Sequence, residues 1–378
     1  GGRLFVLWIP AVLGAIFAAL FWGGGAIAAV FDAAWQASVS PRLGVAIRRL
    51  LGEGAPARVA LWGVDAGLNA VLSVAVTYVL TFYLIMATLQ DAGVLDRLMA
   101  ALDRLSVRTG VTAAASLPLI IGAGCNVPAI LSLRGLPGPR HRAAAGTLVT
   151  LVPCSARTAV VFGTVGYVLG WPWAVGLYAI VAAVILAAGH GLRRMLPRFH
   201  PPALRPAAPL RLPRPRRVAH LLWPHLREFT VGAIPFVVAG SLILGVLYET
   251  GIIGRAAAPL APVIVGWLRL PPAAGLTLVF AVLRKELALQ LLLVLAAMSG
   301  SAGELRDLLT PGQIFTYALV NTIAVPCTAT IGVLARVAGW RRTAAAVAGT
   351  LAVALLLGGA AARLLALPAW PITAASLR

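Results

Sequence analysis

Most of this chain lies in apolar runs about as long as a bilayer is thick, and several are broken near the middle by residues that a plain membrane helix does not carry. A transmembrane helix needs roughly 20 consecutive apolar residues. Runs of that order cover 4–30, 68–89, 143–169, 174–192, 229–247, 313–334 and 343–367. They are continuous rather than alternating, which excludes a β-barrel. Only 11% of the 378 residues are charged and 60% are hydrophobic; a soluble domain carries roughly 25% charged residues. The expected fold is an all-α polytopic membrane protein with about seven spans.

The net charge of +20 comes from 31 Lys+Arg against 11 Asp+Glu. Most arginines lie between apolar runs, where they set topology and touch anionic headgroups. The expected partner is therefore the lipid bilayer and not nucleic acid. Of the basic residues only Lys285 is lysine, and it sits in Val282-Leu283-Arg284-Lys285-Glu286. A Walker A motif needs Gly-Lys-Ser/Thr, so this chain contains no P-loop and is not expected to be an enzyme. The three cysteines, Cys125, Cys154 and Cys327, lie at Gly or Pro breaks in apolar runs. That placement does not suit a disulfide framework.

Four breaks organise the chain. Gly122-Ala123-Gly124-Cys125-Asn126-Val127-Pro128 interrupts the run 111–133 at Gly122–Gly124, leaving two arms of about ten residues. At 1.5 Å per residue neither arm crosses a bilayer, and arginines flank the run on both sides. A re-entrant hairpin on the cytoplasmic face is expected. Arg284-Lys285-Glu286 divides 273–298 in the same way and predicts a second hairpin. Pro153-Cys154-Ser155 and Pro326-Cys327-Thr328 interrupt two spans.

The two halves repeat. Asp91-x-Gly93-x-x-x-Arg97 matches Glu249-x-Gly251-x-x-x-Arg255, and Val152-Pro153-Cys154-Ser155-Ala156 matches Val325-Pro326-Cys327-Thr328-Ala329. The hairpin break at Cys125 matches that at Lys285. The division is a first span and connecting segment over 1–67, a first repeat over 68–192, an Arg/Pro-rich cytoplasmic linker over 193–228, a second repeat over 229–367 and a tail over 368–378. The prolines of the linker predict little regular helix. Counting spans places the two hairpins on opposite faces, an inverted-topology repeat of the kind found in secondary transporters.

The chemistry follows from the breaks. A proline ring removes one backbone bond and opens carbonyls one turn earlier, so Pro153, Pro326 and Pro128, with Gly122 and Gly124, shape a polar pathway. Thiolates from Cys125, Cys154 and Cys327, hydroxyls from Ser155 and Thr328, and open carbonyls suit a divalent metal of intermediate softness. Fe²⁺ is the first candidate; Zn²⁺, Mn²⁺ and Co²⁺ are compatible too. Asn126 is expected to lend a carbonyl, and Glu286 to act as ligand or proton acceptor with Lys285 as its partner or as a gate charge. The bland reading makes the cysteines small apolar fillers and Lys285–Glu286 a turn-fixing salt bridge. Asn321 is read as an interhelical hydrogen bond, and Asp91 and Glu249 as helix-end charges held by arginines such as Arg97 and Arg255.

The segment 122–130 followed by Pro153-Cys154-Ser155-Ala156-Arg157 resembles the first Gate region of the FeoB-type ferrous iron transporters. Leu283-Arg284-Lys285-Glu286 with Val325-Pro326-Cys327-Thr328-Ala329-Thr330-Ile331 resembles the second, and Gly339-Trp340-Arg341 also fits. The resemblance runs from about Leu4 to Leu367 without the family's amino-terminal GTPase domain. It implies inward movement of Fe²⁺ across a bacterial plasma (inner) membrane, with the three cysteines on the ion path and no permanently bound cofactor. As further partners it brings a GTPase domain or subunit acting in trans, a small cytosolic accessory protein and a homo-oligomer. The family's Glu-Asp-Ser-Gly-Tyr segment stands here as Gln90-Asp91-Ala92-Gly93-Val94, which lacks a carboxylate and a hydroxyl and leaves another ion open. Rival classes are a Gate-type carrier of another metal or small solute, and a structural or signalling membrane subunit. An intramembrane thiol enzyme is disfavoured because no histidine falls in the broken spans.

Overall fold

The computed structural model describes residues 18–69, 72, 77–94, 97, 113–136, 138–195, 211–250, 260–282, 285, 287–298 and 305–366. All regular elements among the described residues are helical. The α-helices that frame the site are, in chain order, α1 (Gly25–Ser38), α2 (Ser40–Leu51), α3 (Ala55–Ala60), α4 (Thr77–Asp91), α5 (Ala113–Gly124), α6 (Asn126–Ser132), α7 (Gly138–Leu151) and α8 (Ser155–Val161). The second part comprises α9 (Trp171–Met195), α10 (Pro215–Glu249), α11 (Pro272–Phe280), α12 (Leu287–Met298), α13 (Pro311–Ile323), α14 (Thr328–Ala338) and α15 (Trp340–Leu364).

Among the described residues four helical stretches are long and apolar enough to cross a membrane: Gly138–Gly166, Trp171–Leu192, Pro311–Ala338 and Trp340–Leu364. They coincide with four of the runs expected to span. The first and third are the two expected to break at Pro-Cys, and both do. The helix α13 starts cleanly because Thr310 and Gln313 cap each other, with Pro311 at the first position where no N–H is needed.

Three expectations change. The first hairpin run does not break at Gly122–Gly124: α5 continues through Gly124, and the chain extends only at Cys125 (φ −150°, ψ 130°). Neither glycine has a left-handed backbone, and Pro128 falls in the first turn of α6, where its missing N–H is not needed. The linker is shorter than its prolines suggested. α9 runs to Met195 and α10 begins at Pro215, a favourable first helical position. Asp91 is held by the linker and not by Arg97. Its Oδ2 accepts from the Arg214 N–H at 2.8 Å, Arg211 Nη2 lies 3.4 Å from Oδ1, and Arg217 Nη1 lies 3.7 Å away. Arg211 Nε also donates to the Asp91 carbonyl. The C-terminal end of α4 is thereby fastened to the start of α10. The reason is burial: Asp91 is 3% exposed and must find donors. Gly93, in the left-handed region at φ 73°, turns the chain away just after α4.

At the far end of α10, Glu249 pairs with Arg58 of α3 at 2.7 Å; Arg255 lies outside the described residues. α10 packs along α4 and the π-helical turn Leu61–Ala66. Two apolar cores follow. One gathers Tyr83, Ile130, Leu133, Val149, Leu334 and Val337; the other gathers Val161, Leu177, Leu270, Leu292, Tyr317 and Leu319. The helices interlock across the sequence halves: α14 packs on α6 and α7, and α13 packs on α8 and α15. Gly358 of α15 lies so close to Val320 that a Cβ would collide with it, which is how small residues let membrane helices approach.

The Arg214 N–H, with the charges of Arg211 and Arg217, holds the Asp91 carboxyl below the usual carboxylate range, against the opposing effect of burial. A carboxyl depressed in the fold contributes stability above its unfolded pKa and loses it as pH falls through the folded value. Hydrogen exchange at Arg214 is expected to speed up several-fold in Asp91→Asn at neutral pH. In the parent the same loss should appear, relative to intrinsic exchange, only below about pH 4.

Candidate ion-path site

The three cysteines share one local geometry. Each stands immediately before the first residue of a helix with an extended backbone: Cys125 before α6, Cys154 before α8 (φ −76°, ψ 173°) and Cys327 before α14 (φ −64°, ψ 156°). None is in a disulfide and all are half-buried. A sulfur there lies beside the unpaired N–H groups and the partial positive charge of a helix N-terminus. At the two Pro-Cys breaks the proline supplies the extended turn, because its ring cannot continue the preceding helix. Ser155 and Thr328 are the first helical residues after each break. The Thr328 N–H donates to the Val282 carbonyl at 3.0 Å, tying α14 to the segment that carries Lys285. Cys327 Sγ lies 3.1 Å from Thr330 Oγ1.

Arg157 joins the two Pro-Cys breaks. It is 1% exposed. Its guanidinium donates to the Thr150 carbonyl at 2.6 Å, just before Pro153, and to the Ala324 carbonyl at 3.3 Å, just before Pro326. One carbonyl at each break is thus held by a side chain. Lys285, 4% exposed, donates Nζ to the Asn321 carbonyl at 3.1 Å in the last turn of α13. Arg157 and Lys285 both bond carbonyls at the end of α13, which leads into Cys327. The two Pro-Cys breaks are thus joined through Arg157, and Lys285 bonds the helix that leads into the second. Tyr178 donates to Thr158 at 2.7 Å.

Cys125 belongs to a different neighbourhood. It packs against the first core. Among the described residues no three Cys, His, Asp or Glu side chains come together as a metal-ligand group. Asn126 is 4% exposed, and its amide nitrogen fits as donor to the Gly122 carbonyl at 3.0 Å and the Val149 carbonyl at 3.2 Å. It stitches the Cys125 break to α7, the helix that leads into the Cys154 break. Gly122 is buried against Val149 and Val152; Pro128 and Pro326 are buried and Pro153 is half-buried. Glu286 lies outside the described residues. Asn321 departs from expectation: it is fully buried, and neither side-chain polar atom has a hydrogen-bond partner among the described residues. An interhelical bond was the expected role. Lys285 bonds the backbone carbonyl of Asn321 and not its side chain.

Arg157 and Asn321 carry more of the geometry than the sequence reading assigned to them. A signal for Arg157 was present. It is the one charged residue in the run 143–169, and an arginine at a span's centre costs about 2.5–3.5 kcal/mol on insertion scales unless it is partnered.

Asn126→Asp replaces two donated hydrogen bonds by a carboxylate facing two carbonyls. An unsatisfied buried group costs about 1–3 kcal/mol, so a lowered unfolding midpoint is expected in detergent. An unchanged midpoint with tighter metal binding would show that Asn126 is a ligand and not a stitch.

The comparisons with known proteins fit this arrangement. The Gate family, described as "nucleoside recognition", matches residues 72–168 and 230–341, which include both Pro-Cys breaks, Arg157 and Lys285. The chain is 28% identical over 289 residues to the Fe(2+) transporter FeoB of Synechocystis sp., covering 72% of this chain and 47% of that protein. It is 25% identical over 325 residues to the Fe(2+) transporter FeoB of Staphylococcus aureus, covering 78% and 47%. A shorter match to the Fe(2+) transporter FeoB of Salmonella typhimurium is 30% identical over 131 residues, 34% of this chain and 17% of that protein. The chain spans about half the length of the first two relatives. No solved structure matches. With more than half of its length matched, and both broken spans inside the match, the chain belongs to the Gate family.

Proposed function

We propose that the chain moves a divalent metal ion, ferrous iron, across a bacterial plasma membrane in which it is a multi-pass protein. The observation that carries this reading is the pair of Pro-Cys breaks held face to face through Arg157, in a chain similar over 72–78% of its length to Fe(2+) transporters. Broken helices end in open carbonyls, and where such ends meet in a membrane they line an ion site. Cys154 and Cys327 add soft ligands suited to Fe²⁺, with Ser155 and Thr328 beside them. Cys125, with Gly122, Gly124 and Asn126 at its break, is a separate station on the path. Glu286 is a further ligand next to Lys285.

The arrangement of α4 and α10 supports an inverted repeat with two re-entrant hairpins and seven spans. The acidic ends of these two repeat-equivalent helices, Asp91 and Glu249, lie at opposite ends of the packed pair, one beside Arg214 and the other beside Arg58. The linker at the Arg214 end is cytoplasmic. Asp91 is fully engaged there, so it serves the fold and not ion entry. A GTPase domain or subunit in trans, a small cytosolic accessory protein and a homo-oligomer complete the reading. The chain itself is a transport unit and not an enzyme, and iron is its cargo with no resident cofactor. The family description favours one second reading, a small solute such as a nucleoside carried by the same architecture.

The test is Fe²⁺ uptake into proteoliposomes under anaerobic, reducing conditions, with Mn²⁺, Zn²⁺ and a nucleoside as competitors. Uptake is expected, and Cys154→Ser and Cys327→Ser are each expected to lower it about tenfold or more while unfolding midpoints stay near the parent's. Uptake retained by both variants would remove the thiolates from the path. Nucleoside competition would favour the solute carrier.

A further inference from the structure

α13 ends with two of its last carbonyls bonded to cations from other segments. Pro326 has no N–H to continue the helix. In its last turn the Asn321 carbonyl accepts from Lys285 Nζ, and the Ala324 carbonyl, one residue past α13, accepts from Arg157 Nη2. The carbonyl end of a helix carries partial negative charge and attracts cations. In this structure the protein's own side chains answer it. On the same turn the Asn321 amide is fully buried with neither polar atom hydrogen-bonded among the described residues. Such a group is costly unless something else satisfies it. Cys327 stands three residues beyond Ala324 and is half-buried.

The two cations differ in how firmly they are held. Arg157 bridges two carbonyls, one at each break, and a planar guanidinium suits such a fixed fork. Among the described residues Lys285 bonds one carbonyl, from a point charge on a flexible four-carbon stem, and it lies in the turn between α11 and α12 rather than in a helix. A divalent ion cannot join this turn while both positive charges stay, since like charges repel strongly where water is excluded. Arg157 holds the breaks together, so the side chain that gives way is Lys285.

Resting on the transport reading above, we infer that Lys285 holds, in the ion-free protein, the place that the transported divalent cation takes at the end of α13, and that Asn321 is a ligand of that cation. The backbone carbonyl of Asn321 and its amide oxygen, with Cys327, form the site that Lys285 vacates. Lys285 is then a built-in competitor. It keeps the carbonyl end satisfied when no ion is bound, and it sets a threshold that a monovalent ion with one charge overcomes less readily than a divalent one.

The experiment is anaerobic titration of the full chain in detergent with Co²⁺, read by sulfur-to-cobalt charge-transfer absorption, with unfolding midpoints measured beside it. Lys285→Met is expected to bind Co²⁺ at least about tenfold tighter than the parent, and Lys285→Arg no tighter than the parent. Asn321→Leu keeps the backbone acceptor of Lys285 but is expected to weaken binding about tenfold, in the parent and in the Lys285→Met background alike. A purely structural Lys285 would give Lys285→Met equal or weaker affinity, and that result overturns the inference. So does Asn321→Leu with unchanged affinity, or absence of Co²⁺ binding in every variant. Should Lys285→Met not fold, Lys285→Gln carries the same expectation, because it keeps a donor and loses the charge. Fe²⁺ uptake by the parent decides the transport reading independently, so the failure of one is not the failure of the other.

Discussion

Away from water, a helix cannot stop without something to take its last carbonyls. Each orphaned backbone group costs several kcal/mol in hydrocarbon, and this chain stops two helices deliberately, at Pro153 and Pro326. The structure meets that demand mainly with two long cationic side chains. Arg157 reaches one carbonyl at each break and Lys285 reaches a third. One of these bonds, from Arg157 to the Ala324 carbonyl, crosses from one half to the other, while the Thr150 and Lys285 bonds each tie a break within its own half.

The demand also explains why charge appears inside an apolar protein. A buried guanidinium or ammonium is expensive alone, yet it is an effective donor to several carbonyls at once. Cys154 and Cys327 stand at the starts of α8 and α14, at the two breaks that Arg157 joins. A cation binding there competes with charges already present. Selectivity at such a site comes from how far those charges move as well as from the ligands.

The periphery is organised by the same rule in a wetter setting. Asp91 is buried at the end of α4 and is satisfied by a backbone N–H and two arginines at the start of α10. The Arg-rich stretch therefore does local structural work. Its helical portion was not visible in the prolines alone. A proline at a first helical position is harmless, and two further prolines, Pro224 and Pro235, are accommodated inside α10.

The amino-acid sequence by itself determined the class of this protein and the positions of its weak points. Length and continuity of the apolar runs require helices, and Pro-Cys within a run requires a break, because both follow from local backbone chemistry. The repeated acidic turns and Pro-Cys motifs were legible for the same reason, and so was the resemblance that the Gate match bears out. The partners were decided by the tertiary structure. Nothing local says that Arg157 reaches residue 324 or that Lys285 reaches residue 321, since those pairs lie 167 and 36 residues apart. Nor could the sequence say that Asn126 turns its amide to backbone carbonyls while the buried amide of Asn321 has no partner among the described residues. Two asparagines at breaks look alike in sequence. Which one stitches and which one waits is set by what the other helices bring within hydrogen-bond distance.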